Sequence, residues 1–351
     1  MMRISKLKTE KKVRTIVFSF DEKYAKYFSV VLISLIRYAD KDYVYDLIVL
    51  YDSLSNQTIK RLKKMVPNGF TLRFFDVGEY AFKHLGDLSC STVEGKWVIS
   101  TFYDLLIPLI MPDYEYVLYC DSDIVFQDDP GKLFETPLND RPLAAVQDAF
   151  SLSFALNPEN EFAQNQDVFL REKLEVTNPK NYFNTGVLLF HIPSVDKEEY
   201  LNRVRTAFTF PELPTVDQDV LNYVFKGNAK LAPLHFNLQV SVLSQLKKNI
   251  VAVQTNPEAA ALLEASKAPV IIHYTTEKKP WRFPDCELGD RFWKEARRSP
   301  FYKQILHENN IAKPQKSILY SVKNLLVSVY RKVHKANADA VDGEQSKNKD
   351  G

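Results

Sequence analysis

The feature that most constrains this chain is a switch of hydrophobic period that repeats within residues 13–75. Val13–Phe20 (VRTIVFSF) is a continuous run of β-branched and aromatic residues, the composition of a strand buried on both faces. Tyr24–Tyr38 then places Phe28, Val31, Leu32, Leu35 and Ile36 at helical spacing. Leu47–Tyr51 (LIVLY) reads as a second buried strand, and Asp52–Ser55 supplies turn and N-cap residues. Gln57–Val66 is a basic amphipathic helix closed by Pro67-Asn68-Gly69, and Phe70–Phe75 is a third strand. This alternation predicts an α/β domain whose mostly parallel sheet is flanked by helices.

Ligands of such sheets bind outside the carboxyl ends of the strands. Tyr116–Val125 (YVLYCDSDIV) carries Asp121 and Asp123 just past a buried strand, with Ser122 between them. Two carboxylates at i and i+2 there can share one divalent cation; oxygen ligands suit Mg²⁺ or Mn²⁺, which in turn holds phosphate oxygens. Taken alone, the same D-S-D fits a solvated turn. Other segments bring polar groups to the same rim. Asp21 follows the first strand, and Asp148 follows an apolar strand at Leu143–Gln147. Asn184–Ile192 (NTGVLLFHI) is entered through Asn-Thr-Gly, where glycine lets another group approach closely. Asp217-Gln218-Asp219 opens a helix running through Phe225. Pro269–His273 ends in an imidazole that can complete a metal site, with Lys278 and Lys279 placed to neutralise a diphosphate. None of the 10 glycines forms a dinucleotide or P-loop fingerprint, which leaves any phosphate to a metal and side chains.

A net charge of +2 gives no field directed at nucleic acid. Cys90, Cys120 and Cys286 are too few and too scattered for a disulfide framework, so a reducing, cytoplasmic setting is expected. Neither a signal-peptide core nor an apolar run long enough to span a bilayer is present. Ser100–Met111 reads as a helix disturbed by Pro108, Gly78–Gly95 as irregular, and Phe150–Lys180 as a long polar loop of the kind that covers sites. Residues 1–12 form a basic N-terminal segment. Lys313–Lys335 holds six Lys or Arg and no acid, with Ile318, Val322, Leu325, Leu326, Val329 and Val333 at helical spacing. That pattern predicts a helix in peripheral contact with the inner face of a membrane, followed by a disordered tail at 336–351.

The chain resembles glycosyltransferase family 8, the group of the bacterial lipooligosaccharide galactosyltransferases and glycogenin. The resemblance rests on VFSFDEKYA at 17–25, VLYCDSDIVFQDD at 117–129, YFNTGVLLF at 182–190, DQDVLNYVFKG at 217–227 and HYTTEKKPW at 273–281, in family order. It implies a GT-A catalytic domain over 13–312, a UDP-sugar donor and transfer with retention at the anomeric carbon. It further implies Mn²⁺, with Mg²⁺ as the alternative, and an acceptor that is a glycan or lipid-linked glycan, as in lipopolysaccharide synthesis. On this basis Asp121, Asp123 and His273 hold the metal, while Ser19 and Asp21 meet the uridine. Ser122, Asn184, Thr185, Asp217, Gln218, Thr276 and Lys279 line the donor. Gln218 stands on the reacting face of the sugar, and Asp148 lies near the transferred group. Two positions depart from the family. Asp104 stands where Arg or Lys is usual, and Thr276 where glycine is frequent.

Two rival readings remain at this level. A haloacid-dehalogenase-type phosphatase also has D-x-D after a strand, but leaves 273–281 without a role. A relative that binds UDP-sugar or glycan without turnover would accommodate Asp104.

Overall fold

The protein is described here by a computed structural model covering residues 2–85, 99–149, 161–211, 213–248 and 250–311. The expected helix at 313–335 and the tail at 336–351 lie outside these residues. The chain divides into a unit Met1–Ile305 and a second unit, Leu306–Gly351. Everything below concerns the first.

Seven strands form the main sheet. They are β1 (Val13–Ser19), β2 (Val44–Tyr51), β3 (Phe70–Asp76), β4 (Tyr116–Cys120), β6 (Leu143–Gln147), β7 (Phe183–His191) and β8 (Ala229–Ala232). A second sheet has three: β5 (Ile124–Phe126), β9 (Leu238–Gln239) and β10 (Ile271–His273). The main sheet runs in the order β3-β2-β1-β4-β7-β6-β8, and the small one β5-β10-β9. Every strand of the main sheet shares one direction except β7, which is antiparallel to both β4 and β6. The mostly parallel α/β sheet expected from the alternating periods is therefore present. Asn184 reaches the carboxyl rim because it stands near the start of a reversed strand, not after the end of a parallel one.

Helix α1 (Ala25–Tyr38) buries Phe28, Val31, Leu32 and Leu35 against β1 and β5 residues in one core cluster. Helix α2 (Asn56–Lys63) is capped by Ser55, whose hydroxyl accepts from Thr58 N at 3.1 Å. Asp46 is wholly buried within β2, where Arg73 and Thr71 of β3 satisfy it at 2.5–2.9 Å. A buried carboxylate needs this kind of pairing.

Three expectations change. Gly78–Leu85 is a helix, α3, rather than irregular. Val77, Ala81 and Leu85, four apart, are buried and outweigh the turn-forming residues around them. The polar stretch 150–180 contains helix α4 (Glu161–Glu172), anchored by the buried Leu170. Ser100–Met111 is a 3₁₀ run, Ile99–Leu106, followed by one α turn, Ile107–Ile110. Pro108 falls in the first positions of that turn, where its missing N–H costs no hydrogen bond.

Candidate active site

The second sheet assembles the metal candidates. β5 begins one residue after Asp123, and β10 pairs with it antiparallel so that His273 lies opposite Ile124. Tyr274 N donates to Asp123 O at 3.0 Å and fixes that register. His273 thus ends a strand of the small sheet rather than of the main one, as Pro269–His273 alone suggested. Its Nε2 stands 3.1 Å from Asp123 Oδ1 and 3.4 Å from Asp121 Oδ2. The ligand atoms of Asp121, Asp123 and His273 all lie within 4.8 Å of one another.

These residues fit a divalent ion on their own chemistry. Among the described residues Asp123 Oδ1 is buried without a hydrogen-bond donor, a costly state unless a cation serves it. Two carboxylates and an imidazole form a mixed O/N donor set suited to Mn²⁺ or Mg²⁺. Burial alone would raise the Asp123 pKa, but the Lys279 charge first, with the His273 ring beside it, holds it well below the usual carboxylate range. Burial and the Asp123 charge push Asp121 up; the third of its side chain that meets solvent limits the effect.

Lys279 Nζ contacts Asp123 Oδ2 and donates to Tyr274 O at 2.6 Å. Its loop is anchored by Trp281, which stacks on Tyr27 with ring centroids 3.8 Å apart. Thr276 has φ +65°, a left-handed conformation that favours glycine and that threonine adopts here at a cost.

On the β1 side, Ser19 Oγ lies 2.9 Å from the Tyr119 hydroxyl, and Tyr119 donates to Asp121 Oδ1 at 2.9 Å. Ser122 donates to Ser19 O at 3.1 Å. Asp21 Oδ1 accepts from Tyr24 N at 3.0 Å and so caps the entry to α1. Helix α5 (Lys197–Ala207) packs on α6 (Asp217–Phe225), whose first turn is bound to the start of β7. Thr185 Oγ1 donates to Asp217 at 2.8 Å, Asn184 Nδ2 to Gln218 Oε1 at 2.8 Å, and Phe183 N to Asn222 at 3.0 Å. Val216 immediately before α6 has φ +58°, rare for a β-branched residue. Tyr182 donates to Asp219 at 2.6 Å, and Asp219 also accepts from Thr215 N at 2.7 Å, which holds that turn. Asn184 Nδ2 reaches Asp148 at a long 3.4 Å. Burial and the charge of Asp121 push Asp217 up to about 8.

The structure thus gathers Ser19, Ser122, Asp121, Asp123, His273 and Lys279 in one group and Asp148, Asn184, Thr185, Asp217 and Gln218 in an adjoining one. Asp104 is completely buried, and the charges of Asp217 and Asp121 reach it. The sequence reading missed Tyr119, Asn237 and Gln239. Asn237 Oδ1 lies 3.0 Å from His273 Nδ1, and Gln239 accepts from Ala149 N at 3.0 Å. The signal for Asn237 was a lone amide between Phe236 and Leu238, an apolar setting in which a polar side chain must find partners.

Gly186 supplies a direct test. A Cβ there would fall 2.1 Å from His273 Cε1 and 2.5 Å from Nδ1. Gly186→Ala is expected to cost about 1–3 kcal/mol by overpacking and to abolish Mn²⁺ binding measured by calorimetry with UDP present. Wild-type affinity and melting temperature in this variant would mean the ring is not confined.

The family described as Glycosyl transferase family 8 matches residues 15–284. General stress protein A of Bacillus subtilis is 24% identical over 273 residues, covering 76% of this chain and 86% of that protein. Lipopolysaccharide 1,3-galactosyltransferase of Salmonella typhimurium is 27% identical over 199 residues, covering 53% of this chain and only 50% of its own length. Among solved structures, the apo form of the bifunctional glycosyltransferase WbbM superposes with a TM-score of 0.72 at 26% identity, over 87% of this chain and 53% of that one. The family match spans both sheets and every group gathered at the rim, and the architecture is shared with a known transferase: the chain belongs to glycosyltransferase family 8 and has a GT-A fold.

Proposed function

We propose that this protein is a retaining, metal-dependent hexosyltransferase that moves glucose or galactose from a UDP-sugar to a glycan or lipid-linked acceptor in cell-surface polysaccharide synthesis. The observation that carries this reading is the meeting of Asp121, Asp123 and His273 beside Lys279, within a family 8 match. A divalent ion held by those three residues would neutralise charge on the diphosphate and on the leaving oxygen. Ser19 and Asp21 would face the uridine. Lys279 would bind the diphosphate and stabilise the charge that builds as the C1–O bond breaks. Ser122 and Thr276 would contact the same group through hydroxyl and backbone.

Asn184, Thr185, Asp217 and Gln218 would hold the sugar, with oxygens of Gln218 and Asp148 near an anomeric carbon that becomes oxocarbenium-like. The acceptor hydroxyl would form its bond to C1 on the face the phosphate leaves. Its proton would pass to the departing phosphate oxygen, so no strong base is required. The family match lends the phosphatase reading no support. The basic apolar pattern at 313–335 favours an acceptor presented at a membrane surface.

The test is UDP release from a panel of UDP-hexoses with Mn²⁺ and no acceptor. A slow donor hydrolysis that a chelator stops is expected. Donor binding with no release from any UDP-hexose would overturn turnover in favour of a binding protein.

A further inference from the structure

A single hydrogen-bonded line of four buried side chains runs from the sugar-facing helix to the metal site. Gln218, Asn184, Asn237 and His273 are 7%, 7%, 1% and 3% exposed. The direction of every link is set by one backbone group. Gly186 N–H has only a proton to give, and it donates to Asn184 Oδ1 at 3.0 Å. Asn184 must therefore turn its Nδ2 to Gln218 Oε1, at 2.8 Å. The group that meets Asn184 Oδ1 from the other side must also donate, and it is Asn237 Nδ2 at 2.8 Å. Asn237 is left with its carbonyl oxygen towards His273 Nδ1, at 3.0 Å, which only an Nδ1–H can satisfy.

We propose that Asn237 is a positioning residue that fixes His273 with its Nδ1 proton inward and its Nε2 lone pair towards Asp121 and Asp123, while the same amide orients Asn184 and, through it, Gln218. This inference rests on the metal-site reading proposed above, and it adds that metal binding and the sugar-contacting amides share one amide of this chain. A ligating histidine needs its second ring nitrogen committed in this way. A bare Nε2 at 3.1 Å and 3.4 Å from two carboxylate oxygens is repulsive until a cation lies between them. One side chain so serves two elements, β10 and the first turn of α6, which no contiguous motif links.

Two variants separate the ends of the line. Asn237→Ala removes both links and is expected to weaken Mn²⁺ binding, measured by electron paramagnetic resonance with UDP present, by about 10–100-fold. Asn237→Asp keeps an acceptor for His273 but has no proton for Asn184. It is expected to hold Mn²⁺ within a few-fold of wild type while donor hydrolysis loses kcat with little change in KM. A merely structural asparagine would move both readouts together in both variants.

The decisive measurement uses wild-type, metal-free protein labelled with ¹⁵N-histidine, its ring signals assigned with His273→Gln. Nδ1 of His273 is expected to carry a proton; a bare Nδ1 overturns the proposal, whether or not either variant folds. If wild-type protein binds no Mn²⁺ with UDP, the metal reading fails, and the ring signals still decide the direction of the line.

Discussion

Asp123→Ala is expected to yield a folded protein that no longer binds UDP in a Mn²⁺-dependent way. Asp123 is the hinge of the site because its two oxygens face different partners. Oδ1 meets the His273 ring and has no hydrogen-bond donor among the described residues, and Oδ2 meets Lys279. Its side chain is 14% exposed and that of Lys279 12%, so removing the carboxylate strands a nearly buried ammonium whose remaining partner is the Tyr274 carbonyl. Breaking such a pair from one side costs about 3–5 kcal/mol. The lysine pKa, now raised because the Asp123 charge overcomes burial, is expected to fall in the variant. Two measurements check this. Calorimetry of UDP with and without Mn²⁺ reads the lost metal dependence, and circular dichroism reads the retained fold. Tight UDP binding by the wild type in excess chelator would remove the metal assignment altogether.

The parts of this site that a reader of the sequence can find share one property: they follow strands. Asp121, Asp123, Asp148 and His273 stand where an apolar run stops, and an abrupt carboxylate or imidazole after such a run is visible without coordinates. The parts that stayed hidden owe their placement to pairing between distant segments. Asn237 matters because β9 runs beside β10, and nothing local in Leu234–Gln239 reports that neighbour. His273 was assigned to the right rim by way of the wrong sheet, since three apolar residues cannot show which strand they will join. Helix α3 was hidden by Gly78 and by the short reach of its apolar face, and α4 by the polar run Gln164-Asn165-Gln166-Asp167 at its centre. Asp104 was legible only as a sign reversal against a family pattern. Its complete burial is a property of the 3₁₀ run that carries it.

Asp104→Asn is expected to stabilise the metal-free protein, and to do so increasingly as pH rises. Asp104 is fully buried, its Oδ1 accepts from Leu105 N at 2.8 Å, and its Oδ2 has no partner among the described residues. Burial first, and then the charges of Asp217 and Asp121, push its pKa well above the usual carboxylate range. The sign follows from linkage. A carboxyl that titrates higher when folded keeps its proton in the native state while the unfolded chain releases it. The penalty is absent at low pH. It begins as pH passes the unfolded value and grows by about 1.4 kcal/mol per pH unit until the folded pKa is reached. Asparagine has nearly the same shape and nothing to ionise, so wild type and variant are expected to melt together near about pH 4 and to diverge steadily above it. Asp217, pushed up to about 8, contributes its own decline to both proteins, and because its charge reaches Asp104 the divergence at higher pH belongs to the two carboxyls together. Calorimetric melting in pH steps reads that difference directly. A variant less stable than wild type by a margin that grows as pH rises would mean that Asp104 is ionised and paired in the native state. It would then be a charged element of the donor side, standing in opposite sign where family 8 commonly has Arg or Lys.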